Sequence, residues 1–218
     1  MITITKSNPP MYLTPIDIRQ RNHPAQNAFN NDADFSSIKQ KLKQELLDEQ
    51  GHICCFCMGR IDKEEMKVAH RLSQDAHPES VFNYTNLFAA CKGNEGADLE
   101  EQHCDSYQGS RDLEIDLTRA DLTQIIFYNL NEGKIGCSIP AYDEELNSKL
   151  NLNLQMLKER RISVFRGTQQ ALATKHNGRW PVDILRRKVE KLKARPYEPY
   201  FQVQVYYLEQ EIEKRSRP

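Results

Sequence analysis

The chain has 218 residues, 39% hydrophobic and 28% charged, with a formal net charge of −1. That length suits one ordinary domain or a small domain with a helical extension, and the composition argues against wholesale disorder. No apolar run approaches the about 18 residues of a membrane span and MITITKSNPP lacks the apolar centre of a secretory signal, so a cytoplasmic protein with no membrane span is expected.

The first 35 residues carry Pro9, Pro10, Pro15 and Pro24 among several Asn and Asp, and read as an extended, irregular segment that lies on the domain or docks on a partner. From Asp34 to Gln50, the spacing of Phe35, Ile38, Leu42 and Leu46/Leu47 predicts a helix that Asp34 or Ser36 can cap. Gly51 to Gly109 is dense in Cys, His, Asn and Gly and poor in periodic runs, as in a small domain that needs a metal staple. Between Leu122 and Cys137, QIIFYN and KIGCS flank the turn-like NEG and predict a β-hairpin. From about Asp143, Leu146, Leu150, Leu154, Leu157 and Val164/Phe165 share one face, predicting a helix that stops at Asn177-Gly178. Pro181 can open the next helix, which Arg195-Pro196 ends, and Phe201, Val205, Leu208 and Ile212 mark a last one. The expected organisation is an N-terminal docking segment plus helix (1–50), a cysteine-rich core (51–115), and a hairpin with helices (116–218).

Charge is segregated along the chain. Asp98 to Glu145 holds 12 acidic and 3 basic residues, whereas Leu157 to Arg195 holds 12 basic and 3 acidic ones. Two mutually attracting faces explain this equally well as a basic region, with Arg160, Arg161, Arg186, Arg187 and Lys188, that tracks a phosphate backbone.

Six cysteines in a reducing compartment fit a metal site better than disulfides. Cys54-x-x-Cys57 has the spacing of a knuckle that offers two thiolates to zinc. Cys91 and Cys104 would complete four sulfurs if the intervening KGNEGADLEEQH loops out, which Gly93 and Gly96 permit. Cys55 and Cys137 read as ordinary buried thiols.

A lone histidine such as His70, in KVAHRLSQ, is ordinarily structural or incidental. Its surroundings change that weighting. His70 is followed by Asn83-Tyr84-Thr85-Asn86-Leu87-Phe88-Ala89-Ala90-Cys91 and then Cys104-Asp105-Ser106-Tyr107-Gln108-Gly109. This order resembles the HNH nuclease family, a ββα-metal finger. HICCFCMGRI, MKVAHRLSQ, FNYTNLFAAC, HCDSYQG and LNLNLQMLKERR, with the two chain ends, further resemble PtuB, the small nuclease subunit of Septu-type anti-phage systems that also accompanies some retrons.

The resemblance implies an α+β fold, a small zinc-stapled ββα-metal HNH finger embedded in a mostly α-helical protein. It implies metal-dependent phosphodiester hydrolysis of DNA or RNA, tRNA included. His70 would be the general base, Asn86 would fix its loop, and Asp105 would hold a catalytic Mg2+ or Mn2+ ion. Cys54, Cys57, Cys91 and Cys104 would bind structural zinc. The implied partners are a PtuA-like ABC-type ATPase and, in retron-associated assemblies, a reverse transcriptase with its RNA–DNA product. Two positions depart from the pattern. Ala69 stands where an acidic metal ligand is usual, so that KVEH or KVDH would be expected, and Gln108 stands where lysine is common, weakening a phosphate contact. Ala69 favours the alternative of a zinc-stabilised, catalytically inactive module that binds nucleic acid or protein. A redox role for the CxxC is weak without a thioredoxin-type βαβ context.

Overall fold

The computed structural model describes residues 1–22, 33–174 and 180–216. Its centre is an antiparallel strand pair, β1 (Met66–His70) and β2 (Leu87–Cys91), in register from Met66 opposite Cys91 to His70 opposite Leu87. Helix α3 (Cys104–Gln108) follows and packs on β2, which completes a ββα order. Leu87 to Ala90 are all buried, so β2 is a core strand covered on both faces. Cover comes from α2 (Ala33–Glu49), which packs against both strands and buries Leu42, Leu46 and Leu47.

The N-terminal segment departs from the expectation of an irregular tail. Helix α1 (Thr14–Asn22) forms within it, and Pro15 is accommodated because the first helical turn has no amide partner to lose. Met1, Ile4, Leu13 and Ile16 are buried in the main core, and the Ile4 amide donates to the Leu117 carbonyl at 2.8 Å. Lys6 makes a buried ion pair with Glu49 at 2.6 Å, tying the segment to the end of α2. Four apolar side chains from a proline-rich stretch are more stable in the core than in water, and they draw the stretch in.

A four-residue helix, α4 (Leu122–Ile125), leads into the predicted hairpin, β3 (Ile126–Asn129) and β4 (Lys134–Cys137). The single helix expected from Asp143 is instead two, α5 (Pro140–Ser148) and α6 (Gln155–Thr174). The break has a tertiary cause. The Asn153 side chain takes both backbone groups of Ile135, the amide at 2.9 Å and the carbonyl at 3.0 Å, and Asn151 sits at φ 48°. The kink sends Leu146, Leu150, Leu152 and Leu157 into one core. The stop expected at Asn177-Gly178 lies outside the described residues.

Helix α7 (Val182–Leu192) begins just after Pro181 and ends ahead of Arg195, and α8 (Phe201–Ser216) buries Phe201, Val205 and Leu208 as its spacing predicts. These helices share a second core cluster with Ile53 and Met58 beside the cysteine knuckle. The Tyr200 amide donates to the Met58 carbonyl at 2.9 Å. The C-terminal helices therefore brace the knuckle. Among the described residues, no helix is long and apolar enough to cross a membrane.

Candidate functional site

The knuckle is a tight turn. The Cys54 amide donates to the Gly59 carbonyl at 2.9 Å and the Met58 amide to the Cys54 carbonyl at 3.0 Å, which brings Cys54 and Cys57 to one side. Cys91 enters from the end of β2 and Cys104 from the start of α3. The intervening excursion does loop out and close on itself, with the His103 amide on the Gly93 carbonyl at 3.0 Å. Gly93 is required there, since at φ +56° a Cβ would lie 1.8 Å from the His103 carbonyl oxygen.

The four sulfurs all lie within 4.8 Å of one another, with Cys54–Cys104 and Cys57–Cys91 each at 3.8 Å. A tetrahedron with zinc–sulfur distances of about 2.3 Å has sulfur–sulfur edges of about 3.8 Å, so the cluster has the size and donor chemistry of a zinc site. Burial raises the Cys54 thiol, but hydrogen bonds from Cys104, Cys55, Cys57 and Cys91 outweigh it and hold its pKa well below the ordinary value. The Gly59 amide points at the Cys57 sulfur, 3.4 Å away. His103, which the sequence did not single out, is buried with its Nδ1 3.1 Å from the Cys104 sulfur. Cys55 is also buried, outside the four-sulfur group, and desolvation pushes its thiol far up.

His70 ends β1 and is 6% exposed. Its Nε2 lies 3.0 Å from the Val81 carbonyl, and because a carbonyl only accepts, this nitrogen carries the proton. The lone pair is therefore on Nδ1, 3.4 Å from the Gln74 amide nitrogen. Burial lowers the pKa to about 4, offset in part by the Val81 hydrogen bond, so the imidazole is neutral at pH 7. Asn86 clamps the loop that follows. Its Oδ1 accepts from the Leu72 amide at 2.7 Å, and its Nδ2 donates to the carbonyls of Leu72 at 3.0 Å and Ser80 at 3.2 Å.

His70 and Asp105 line one cleft of about 580 Å³ with Lys39, Lys43, Lys67 and Glu95. Asp105, directly after Cys104, has a 19% exposed side chain 3.3 Å from the Lys67 ammonium. Lys67 also pairs with Glu95 at 2.9 Å. Burial opposes the charge on Lys67, but the two carboxylates outweigh it and raise its pKa. Ala69 is fully buried and offers no donor atom. Among the described residues, the cysteines are the only group of three or more His, Cys, Asp or Glu side chains that converge on one point. The donors beside His70 do not converge into a cage for Mg2+ or Mn2+: of the three carboxylates that line the cleft, Glu95 and Asp105 lie against the Lys67 ammonium and Asp75 accepts from the Ser110 hydroxyl.

Gln108 requires a correction. The expectation placed it at a phosphate contact, but it is 2% exposed and donates to the His70 carbonyl at 2.7 Å and the Arg111 carbonyl at 3.0 Å. It positions the end of β1 from beneath, and its buried Oε1 has no hydrogen-bond partner. Arg161 is corrected likewise. It is 2% exposed, with its guanidinium on the carbonyls of Gly133 and Leu152, and cannot reach a phosphate backbone. Arg186 and Arg187 remain exposed on α7.

Comparison with known proteins finds two partial similarities. The chain is 38% identical over 56 residues to the Septu protein PtuB of Bacillus thuringiensis, a match covering 25% of this chain and 22% of that protein. It resembles HNH nucleases of the PtuB type. It is also 30% identical over 61 residues to the retron Vc95 putative HNH endonuclease of Vibrio cholerae serotype O1 biovar El Tor, covering 27% of this chain and 30% of that protein. The matched stretches thus span less than a third of either relative. No protein-family model matches the chain.

Proposed function

We propose that this chain is the HNH endonuclease subunit of an anti-phage defence assembly of the Septu or retron type, hydrolysing phosphodiester bonds in DNA or RNA, tRNA included. What supports this reading is the arrangement around His70. A neutral imidazole, its basic Nδ1 facing the Gln74 amide, lines an open cleft at the end of the first strand of a ββα unit with four clustered cysteines. In this reading Nδ1 takes a proton from the attacking water, Asn86 keeps the His70 loop in place, and Asp105 lies across the cleft. The partner is a PtuA-like ABC-type ATPase that holds the nuclease inactive until infection, joined in retron-type assemblies by a reverse transcriptase with its RNA–DNA product. A magnesium or manganese ion at Asp105 would compete with the Lys67 ammonium already beside that carboxylate.

The test is cleavage of DNA and total RNA by the chain, by His70→Ala and by Ala69→Glu, with and without manganese and the ATPase. His70→Ala should be silent with zinc content unchanged; undiminished cleavage would remove the catalytic assignment. The second reading, a zinc-stabilised binding module without catalysis, is favoured by the Lys67–Asp105 pair and by Ala69. It takes the lead if all three proteins are silent in every condition while zinc is stoichiometric.

A further inference from the structure

Lysines from two elements meet at the His70 cleft, and the cysteine-and-histidine pattern of the finger accounts for none of them. Lys39 and Lys43 stand one helical turn apart on α2, which packs on β1 and β2 from outside the ββα unit. Both line the cleft. Lys39 is near enough for its charge to act on the His70 imidazole. Lys43 donates to the Lys63 carbonyl at 3.2 Å, an acceptor that carries no formal charge.

The acidic groups of the cleft are distributed differently. Glu95 and Asp105 both lie against Lys67, and Asp75 accepts from the Ser110 hydroxyl at 2.8 Å. The acids thus concentrate around one lysine, and the α2 wall beside His70 carries positive charge. Lys39 and Lys43, two cationic side chains beside one imidazole, suit a ligand with a chain of negative charges, whereas Lys67 is already matched by two carboxylates.

We propose that Lys39 and Lys43 hold a nucleic-acid phosphate beside His70, and that the Lys67 ammonium supplies the positive charge at Asp105 in place of a divalent cation, so that the cleft takes the phosphodiester backbone without magnesium. This rests on the reading that nucleic acid is the ligand of the cleft, but not on its being cut. An ammonium is a flexible point charge that binds phosphate without a fixed coordination geometry, which matches a cleft short of oxygen donors.

The test uses the full chain with His70→Ala, so that binding is read without cleavage. Its affinity for a short fluorescein-labelled duplex DNA is measured across a salt series, in resin-treated buffer and again with added magnesium. The same series is run with Lys39→Gln and Lys43→Gln added, and separately with Lys67→Gln. Zinc content and thermal melting check that each variant is folded. We expect binding that does not depend on magnesium in the parent, and a plot of log affinity against log salt that is shallower by about 2 in the double-lysine variant, about one unit per lysine. Lys67→Gln, which releases Asp105 and Glu95, should make binding respond to magnesium.

An unchanged slope, a parent that binds only with magnesium, or no binding at all overturns the proposal. A Lys67→Gln chain still indifferent to magnesium overturns the role given to Lys67. Cleavage by the unsubstituted chain, assayed in parallel, separates the two claims. Cutting with an unchanged slope sinks the lysines and keeps the nuclease, whereas a shallower slope without cutting does the reverse.

Discussion

The cysteine cluster and the His70 cleft lie on the same ββα unit but are in different condition. The cluster has four donors: four sulfurs within 4.8 Å of one another, backbone amides closing the knuckle, a glycine where only glycine fits, and a second core bracing it from α7 and α8. The cleft is incomplete as a divalent metal site. Its histidine and the clamp beneath it are in order, but Ala69 offers no ligand and Lys67 holds the carboxylates. The difference teaches that the scaffold of this finger and its chemistry are separable. A metal staple tolerates no lost ligand because folding depends on it, whereas a reaction site can change composition while the fold survives.

The sharpest way to break the comparison is to remove the staple. Cys91→Ser, or strong chelation of the intact protein, should unfold the region around the knuckle, because zinc contributes on the order of 10 kcal/mol to small zinc-bound folds. Loss of zinc with an unchanged thermal melt would show that the cluster is not structural. Next in size is the cleft itself: His70→Ala should reduce any cleavage by about 10² to 10⁴-fold, the usual contribution of a general base, with zinc retained.

Stability against pH distinguishes the regions differently. The folded His70 pKa, about 4 against an ordinary 6.5, is depressed by burial, so the unfolded chain binds the extra proton between those values. Its contribution to stability is complete above about pH 6.5 and is lost as pH falls towards 4, amounting to about 3 kcal/mol. Denaturant melts of the chain and of His70→Phe should diverge in that window, and parallel pH profiles would show that His70 is not buried and neutral. Asn86→Ala leaves one amide and two carbonyls of the loop without their partner, and should cost about 1–3 kcal/mol while zinc content stays constant.

Much of this was legible in the chain. CxxC spacing, with Cys91 and Cys104 beyond a glycine-bearing excursion, announces a four-sulfur site because thiolates at such spacings have few other uses. The hairpin and the last helix follow from local periodicity, since each buries one face of a short regular segment. The order of His70, Asn86 and Asp105 located the cleft, but not its electrostatics. Lys39 and Lys43 lie outside the finger and reach the cleft only because α2 packs on β1 and β2.

The sequence by itself therefore determined what is local: the knuckle, the β3–β4 hairpin, the helical faces and the candidate base. Only the tertiary structure decided what depends on distant partners. Proline-rich residues 1–13 enter the core because their apolar side chains find one there, and the predicted long helix breaks because Asn153 is held by Ile135. Arg161 and Gln108 leave the candidate phosphate surface because buried carbonyls need their donors. Lys67 pairs with Asp105 because two carboxylates stand across from its strand, a juxtaposition that no spacing in the sequence encodes.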